Sequence, residues 1–154
     1  MRALEPWVID PLQTFLDESS ARLTLLMTSS GQVVAQHGFS RSLDVMTAAA
    51  LGAGIVASTD ELARLMGATR FGALVHHGAR QSCMLSAFGT PRGRWIGLVV
   101  FGPETSVGIV QLFFDQMVEQ LVTVAPREHA PAPMLAENFE GELNASLKAL
   151  FGRQ

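Results

Sequence analysis

The chain has 154 residues, enough for one domain with a sizeable core. Hydrophobic residues make up 48% and charged residues 16%, which excludes bulk disorder. The net charge is −3 with no basic block, so nothing points to nucleic acid or to an anionic membrane. Cys83 is the single cysteine, which rules out an internal disulfide and fits a reducing, cytoplasmic setting.

Glu5, Pro6 and Asp10 interrupt the N-terminus too early for a secretory signal, and residues Met1 to Trp7 read as a loose lead-in. Asp10-Pro11 predicts a helix start, with Asp capping, Pro at the first position and Gln13 where a capping-box partner falls. Leu12, Phe15 and Leu16 form the apolar side of that short helix, which ends near Ser19-Ser20. Leu23 to Met27 and Gln32 to His37 are of strand length, and Thr28 to Gly31 between them is a turn, so the pair predicts a hairpin.

The stretch Ser42 to Gly67 predicts a long helix. Ser42 is the cap candidate, Asp44 sits in the first turn, and Gly67 supplies the left-handed C-terminal position. Leu51, Ile55, Leu62, Leu65 and Met66 share one face by helical spacing, while Ala49, Ala53 and Ala57 recur on another, followed by Asp60 and Arg64. The large face is expected to cover the chain's own sheet. The small face is expected to admit a second backbone, either another copy or a protein ligand. A helix wholly surrounded inside one domain is the alternative reading. The charge-free run Val45 to Thr59 is too short and too small for a membrane span.

Beyond Gly67, Ala73 to His77 predicts a third strand, Gln81 to Phe88 a fourth and Arg94 to Phe101 a fifth. The fifth is apolar throughout, as a central strand should be. Ser106 can cap a last helix in which Val110, Phe113, Phe114, Met117, Val118, Leu121 and Val122 keep helical spacing. The expected architecture is α+β: one five-stranded antiparallel sheet, profilin-like, between the long central helix and the two terminal helices. The domain should span residues 1–124. Residues 125–137, with the run APREHAPAP, read as a Pro-rich linker. Residues 138–154 read as an amphipathic tail helix with Phe139, Leu143, Leu147, Leu150 and Phe151 on one stripe. Glu140 and Glu142 lie early in it, and Lys148 and Arg153 late, as the helix dipole favours. Such a short helix is marginal alone and should order in a groove, either on a partner or on its own domain.

Chemistry-bearing groups are sparse. His76 and His77 are adjacent in a strand, so they point to opposite faces and cannot share a metal; no metal site is expected. Cys83 reads as a buried, inert thiol. There is no GxxxxGK[ST] loop, and Gly52 and Gly54 read as packing glycines. No cofactor and no catalytic residue is expected. Arg41, Arg64, Arg70 and Arg80 are the candidates for an arginine finger acting in trans.

The order of elements resembles the Roadblock family, the dynein-light-chain type. The resemblance rests on the turn SSGQVVA, the Ala-rich helix, ELARLMG followed by RFGALVHHG, the strand WIGLVVF and the helix opened by VGIVQLFF, over about Phe15 to Val124. Within the family the match is to the MglB-like bacterial polarity regulators. That resemblance implies a cytoplasmic homodimer acting on a small Ras-like GTPase of the MglA type, in cell polarity or gliding motility, without an inserted arginine. It further implies that the tail contacts the GTPase. On this reading two copies pair through the long helix and through the edge Ala73, Leu74, Val75, His76 and His77. The GTPase then sits on Ala49, Ala53, Ala57, Asp60 and Arg64, and the tail stripe clamps it. A passive dimeric scaffold is the alternative, and a small-ligand sensor would need a roomy, polar-lined cavity.

Overall fold

The computed structural model describes residues 2–39 and 43–126. The five expected strands form one antiparallel sheet: β2 (Leu23–Thr28), β3 (Val33–Gly38), β4 (Leu74–His76), β5 (Ser82–Thr90) and β6 (Gly93–Phe101). A two-residue strand, β1 (Arg2–Ala3), adds to the edge beyond β3, so the order is β1-β3-β2-β6-β5-β4. The helices are α1 (Ile9–Ser19), α2 (Val45–Leu65) and α3 (Val107–Val124).

The lead-in is not loose. Arg2 and Ala3 pair with Gln36 and Ala35, a 3₁₀ turn runs over Pro6–Val8, and Trp7 stacks on Trp95 with ring centroids 5.5 Å apart. Burying the Trp7 ring against a core aromatic outweighs the flexibility usual for a chain end. The same turn moves the start of α1: its N-cap is Val8, with no side-chain cap bond, and Asp10 lies inside the first turn. The 3₁₀ turn leads straight into the helix, leaving no break for Asp10 to cap.

The ends of α2 are set by specific bonds. Asp44 is its N-cap, accepting from the Thr47 N–H at 3.2 Å and the Thr47 hydroxyl at 2.9 Å, and these bonds hold its carboxyl below the usual range. Ser42, the expected cap, lies outside the described residues. At the other end the Gly67 N–H donates to Arg64 O and the Ala68 N–H to Ala63 O, with Gly67 at φ +73°. That is the paired-bond stop in which a left-handed glycine satisfies the last carbonyls.

Two apolar layers flank the sheet. On one side α1 and α3 contribute Leu12, Phe15, Val110, Phe114, Met117 and Leu121, packed on Leu26, Met84, Trp95 and Val99. On the other, α2 lies over Leu23, Leu25, Met27, Leu85, Ile96, Leu98 and Val100. Strand β6 is buried on both faces between β2 and β5, as its unbroken apolar run requires. Gly97 in β6 leaves room for the Phe114 ring: a Cβ there would lie 2.5 Å from Phe114 Cε2. The α3 helix is the one described helix long and apolar enough to cross a membrane, but Val110, Phe114, Met117 and Leu121 anchor it in this core.

Candidate docking surface

The two faces of α2 are the reverse of the sequence expectation. Ala49, Gly52, Ala53 and Ala63 are buried against the chain's own sheet. Leu51, Leu62, Leu65 and Met66 point outward, 63%, 52%, 72% and 65% exposed, with Ile55 partly exposed beside them. Ala49 and Ala53 therefore cannot present a platform to a partner. The physical reason lies in the sheet. Its α2 face already carries Leu25, Met27, Leu85, Ile96 and Leu98, which fill the layer from below. Little room is left for large side chains from above, so the helix comes down on methyl groups and on Gly52, where a Cβ would lie 3.2 Å from Leu85 Cδ2. Ala53 lies against the hairpin turn at Gly31.

Ala57 is exposed, as expected, and shares the outer surface with Ala50 and Gly54; a Cβ on Gly54 would meet nothing within 4 Å. Arg64 is also outward, paired with Glu61 one turn earlier. Asp60 is held by an ion pair inside the monomer. Arg94 Nη2 donates to Asp60 Oδ1 at 3.2 Å, and Arg94 Nη1 donates to the other oxygen. This pair ties the second half of α2 to the start of β6. Its hydrogen bonds first, then the guanidinium charge, hold the Asp60 carboxyl below its ordinary value. A depressed carboxylate stabilises the fold above its unfolded pKa, and the gain disappears as pH falls through the folded value. Asp60→Asn is therefore expected to cost up to about 1 kcal/mol at pH 7. The gap from the parent should narrow in acid, as the pH falls below the usual carboxylate range. Denaturant melts at pH 7 and at pH 3 check this.

The second feature is an open sheet edge. Strand β4 pairs only with β5, as Leu74↔Leu85, Val75↔Met84 and His76↔Cys83. No described strand borders its other side. The ladder is shorter than the expected Ala73 to His77, since Ala73 and His77 lie outside it. Leu74 packs with the α2-side layer, whereas Ala73 and Val75 pack with the α1/α3-side layer; His76 and His77 are exposed. Cys83, on β5 opposite His76, is half-buried, and burial pushes its thiol up, away from the reactive thiolate form. The tail residues Phe139, Leu143, Leu147, Leu150 and Phe151 lie outside the described residues, as does Arg41.

A shallow cavity of about 340 Å³ lies elsewhere, between the β4–β5 turn (His77 to Ser82) and the start of α3. The docking features are thus an apolar helix face and an unpaired strand edge, which suit a macromolecule better than a small substrate.

The same fold occurs in solved structures. Over 77% of its length the chain is 30% identical to the gliding protein mglB of Thermus thermophilus, covering 88% of that chain with a TM-score of 0.69. The chain belongs to the MglB group of the Roadblock family. Myxococcus xanthus MglB is 25% identical, with a TM-score of 0.71, over 79% of this chain and 96% of that one. A Roadblock/LC7 domain from Streptomyces avermitilis shares the fold at 16% identity and a TM-score of 0.61, over 77% of this chain and 93% of that one. No protein-family model matches the sequence, and no curated protein matches it. As an MglB-type Roadblock protein the chain is a regulator by family, and α2 and β4 are among the places where its fold leaves apolar or unpaired surface uncovered.

Proposed function

We propose that this MglB-type chain is a homodimeric, non-catalytic regulator of a small Ras-like GTPase of the MglA type, acting in cell polarity or gliding motility by raising GTP hydrolysis. The observation that carries the reading is the outward stripe Leu51, Ile55, Leu62, Leu65 and Met66 on α2, present together with the open edge of β4. Side chains of this size are seldom left in water as one group on a protein that acts alone. Two copies pair through the β4 edges and the stripe, in an isologous contact that closes on itself. The small outer positions Ala50, Gly54 and Ala57, with Glu61 and Arg64, then face the GTPase. Stimulation comes from favouring the GTPase conformation that hydrolyses fastest, and its size is limited by the difference in affinity for the two states.

The test is GTP turnover by the MglA-type GTPase of the same organism, with and without the full chain. Stimulation by the parent is expected. Leu51→Asp with Leu62→Asp should lose at least about tenfold of it, which is about 1.4 kcal/mol of binding. Co-elution of chain and GTPase without any change in turnover would favour the passive scaffold instead. Absence of both would remove the GTPase reading and leave the fold.

A further inference from the structure

The cavity of about 340 Å³ at the foot of β4 lies between the β4–β5 turn and the loop from β6 into α3. A space of about 150 Å³ already takes a benzene ring. Arg22 holds the two walls together: its Nε donates to Glu104 Oε1 at 2.8 Å, and its Nη1 donates to Arg80 O at 3.3 Å. Two hydroxyls of the lining are committed within the chain. Ser82 accepts from the Gly78 N–H at 3.4 Å, and Ser106 accepts from the Ile109 N–H at 3.4 Å. Ala79, Phe101, Pro103 and Val107 supply apolar wall.

We propose that Phe71 of a second copy seats its ring in this cavity, so that each subunit of the homodimer completes the other. The proposal rests on the pairing of β4 edges stated above and names what that pairing brings together. Three observations select this occupant. The first is register. Outward N–H and C=O groups alternate along an edge strand, so the two-fold axis of an antiparallel pair passes through one residue. Val75 is the middle of the three-residue β4, and an axis there gives every residue of the strand a partner within the strand. Leu74 then faces the partner's His76. Three positions further along, Phe71 comes alongside the partner's Ala79, in the cavity wall.

The second is the side of the sheet. Ala73 and Val75 pack with the α1/α3-side layer, and alternation carried two residues back from Ala73 puts Phe71 on that side. Val107, in the cavity wall, packs with the same layer. The third is exposure. Phe71 is 40% exposed in the single chain, beside the open edge. An aromatic side chain filling a pocket is the kind of anchor that carries most of a contact's strength. Within one chain Phe71 and Ala79 lie beyond opposite ends of β4, so a chain cannot fill its own cavity with this ring.

Sedimentation velocity on the full chain, across a concentration series, tests this. The parent should dimerise. Phe71→Ala should weaken the dimer at least about tenfold in Kd, and Phe71→Leu should recover part of the loss. The amides of β6 serve as the control of the fold in both variants. Val75→Cys in a Cys83→Ser background reads the register separately. Facing Cα atoms about 4.5–5.5 Å apart are within reach of a disulfide, so oxidation should link two copies. Linkage through Val75→Cys with an unchanged Kd in Phe71→Ala would overturn the proposal and leave the β4 pairing standing. A dimer that does not link would overturn it through the register. A parent that is monomeric at every concentration would overturn the pairing itself, and the proposal with it.

Discussion

Replacing Ala49 with Arg is expected to remove much of the protein's stability instead of merely blocking a partner. Ala49 has no exposed surface and sits among Leu25, Met27, Leu85 and Leu98. An Arg there must either leave a guanidinium uncompensated in an apolar layer or lever the helix off the sheet. An uncompensated buried charge costs about 3–5 kcal/mol. For a chain of this size that lowers the thermal midpoint by roughly 10 °C or more. The contrast variant is Ala57→Arg, on the same helix but exposed and off the outward stripe, whose cost should stay within about 0.5 kcal/mol. Calorimetry on the pair decides the orientation of α2. Equal midpoints for the two variants would show that the small face is not the buried one.

Gly97→Val is expected to be nearly as damaging, through steric crowding and not charge. A Cβ at Gly97 would lie 2.5 Å and 2.6 Å from two ring carbons of Phe114. That ring has no slack: it packs edge-on against Phe15 at 5.9 Å and against Phe88 at 5.7 Å, and it is 1% exposed. Accommodating the side chain shifts α3 away from the sheet. Overpacking of this kind costs about 1–3 kcal/mol, and Val places more bulk than a single methyl. Chemical denaturation should show a lower midpoint, together with a change in near-ultraviolet dichroism from the Trp7–Trp95–Phe88 cluster beside Phe114. An unaltered midpoint would mean that α3 has room to move.

Most of the fold is legible in the sequence because its signals are local. The strand β6 announces itself as an unbroken apolar run, the β2–β3 hairpin by its turn, and α3 by Val110, Phe114, Met117 and Leu121 at helical spacing. The order of these elements also carries the family resemblance, and the fold bears it out. The N-terminal strand is not legible, since two residues have no periodicity and Trp7 finds its partner 88 positions away at Trp95. The faces of α2 come out reversed for a different reason. Helical spacing tells which residues share a face, not which face turns inward. That choice depends on how much volume the sheet already supplies, a property of Leu25, Met27, Leu85 and Leu98 on three separate strands. One local hint exists: Ser58 and Glu61 sit beside Leu62 and Leu65 on the outer surface, a poor set of neighbours for a buried stripe. Spacing puts Asp60 on the right helix, but its partner Arg94 is 34 positions distant and cannot be inferred that way.

The grip of α2 on the sheet has a thermodynamic consequence. Its fully buried contacts are three alanine methyls and a glycine, with half-buried Val45, Ala48 and Val56 at the margin. Burial stabilises in proportion to apolar area, about 25 cal/mol per Å², so such a helix gains little from its own domain. The larger hydrophobic area of the helix is on its outer side. Any molecule that covers the outer side therefore adds cohesion to the helix by mass action. The melting temperature of the protein then becomes a gauge of occupancy. A rise on mixing with a candidate partner reports binding to the folded chain, and loss of that rise in Leu62→Asp places the binding at α2, even before any effect on that partner's chemistry is known.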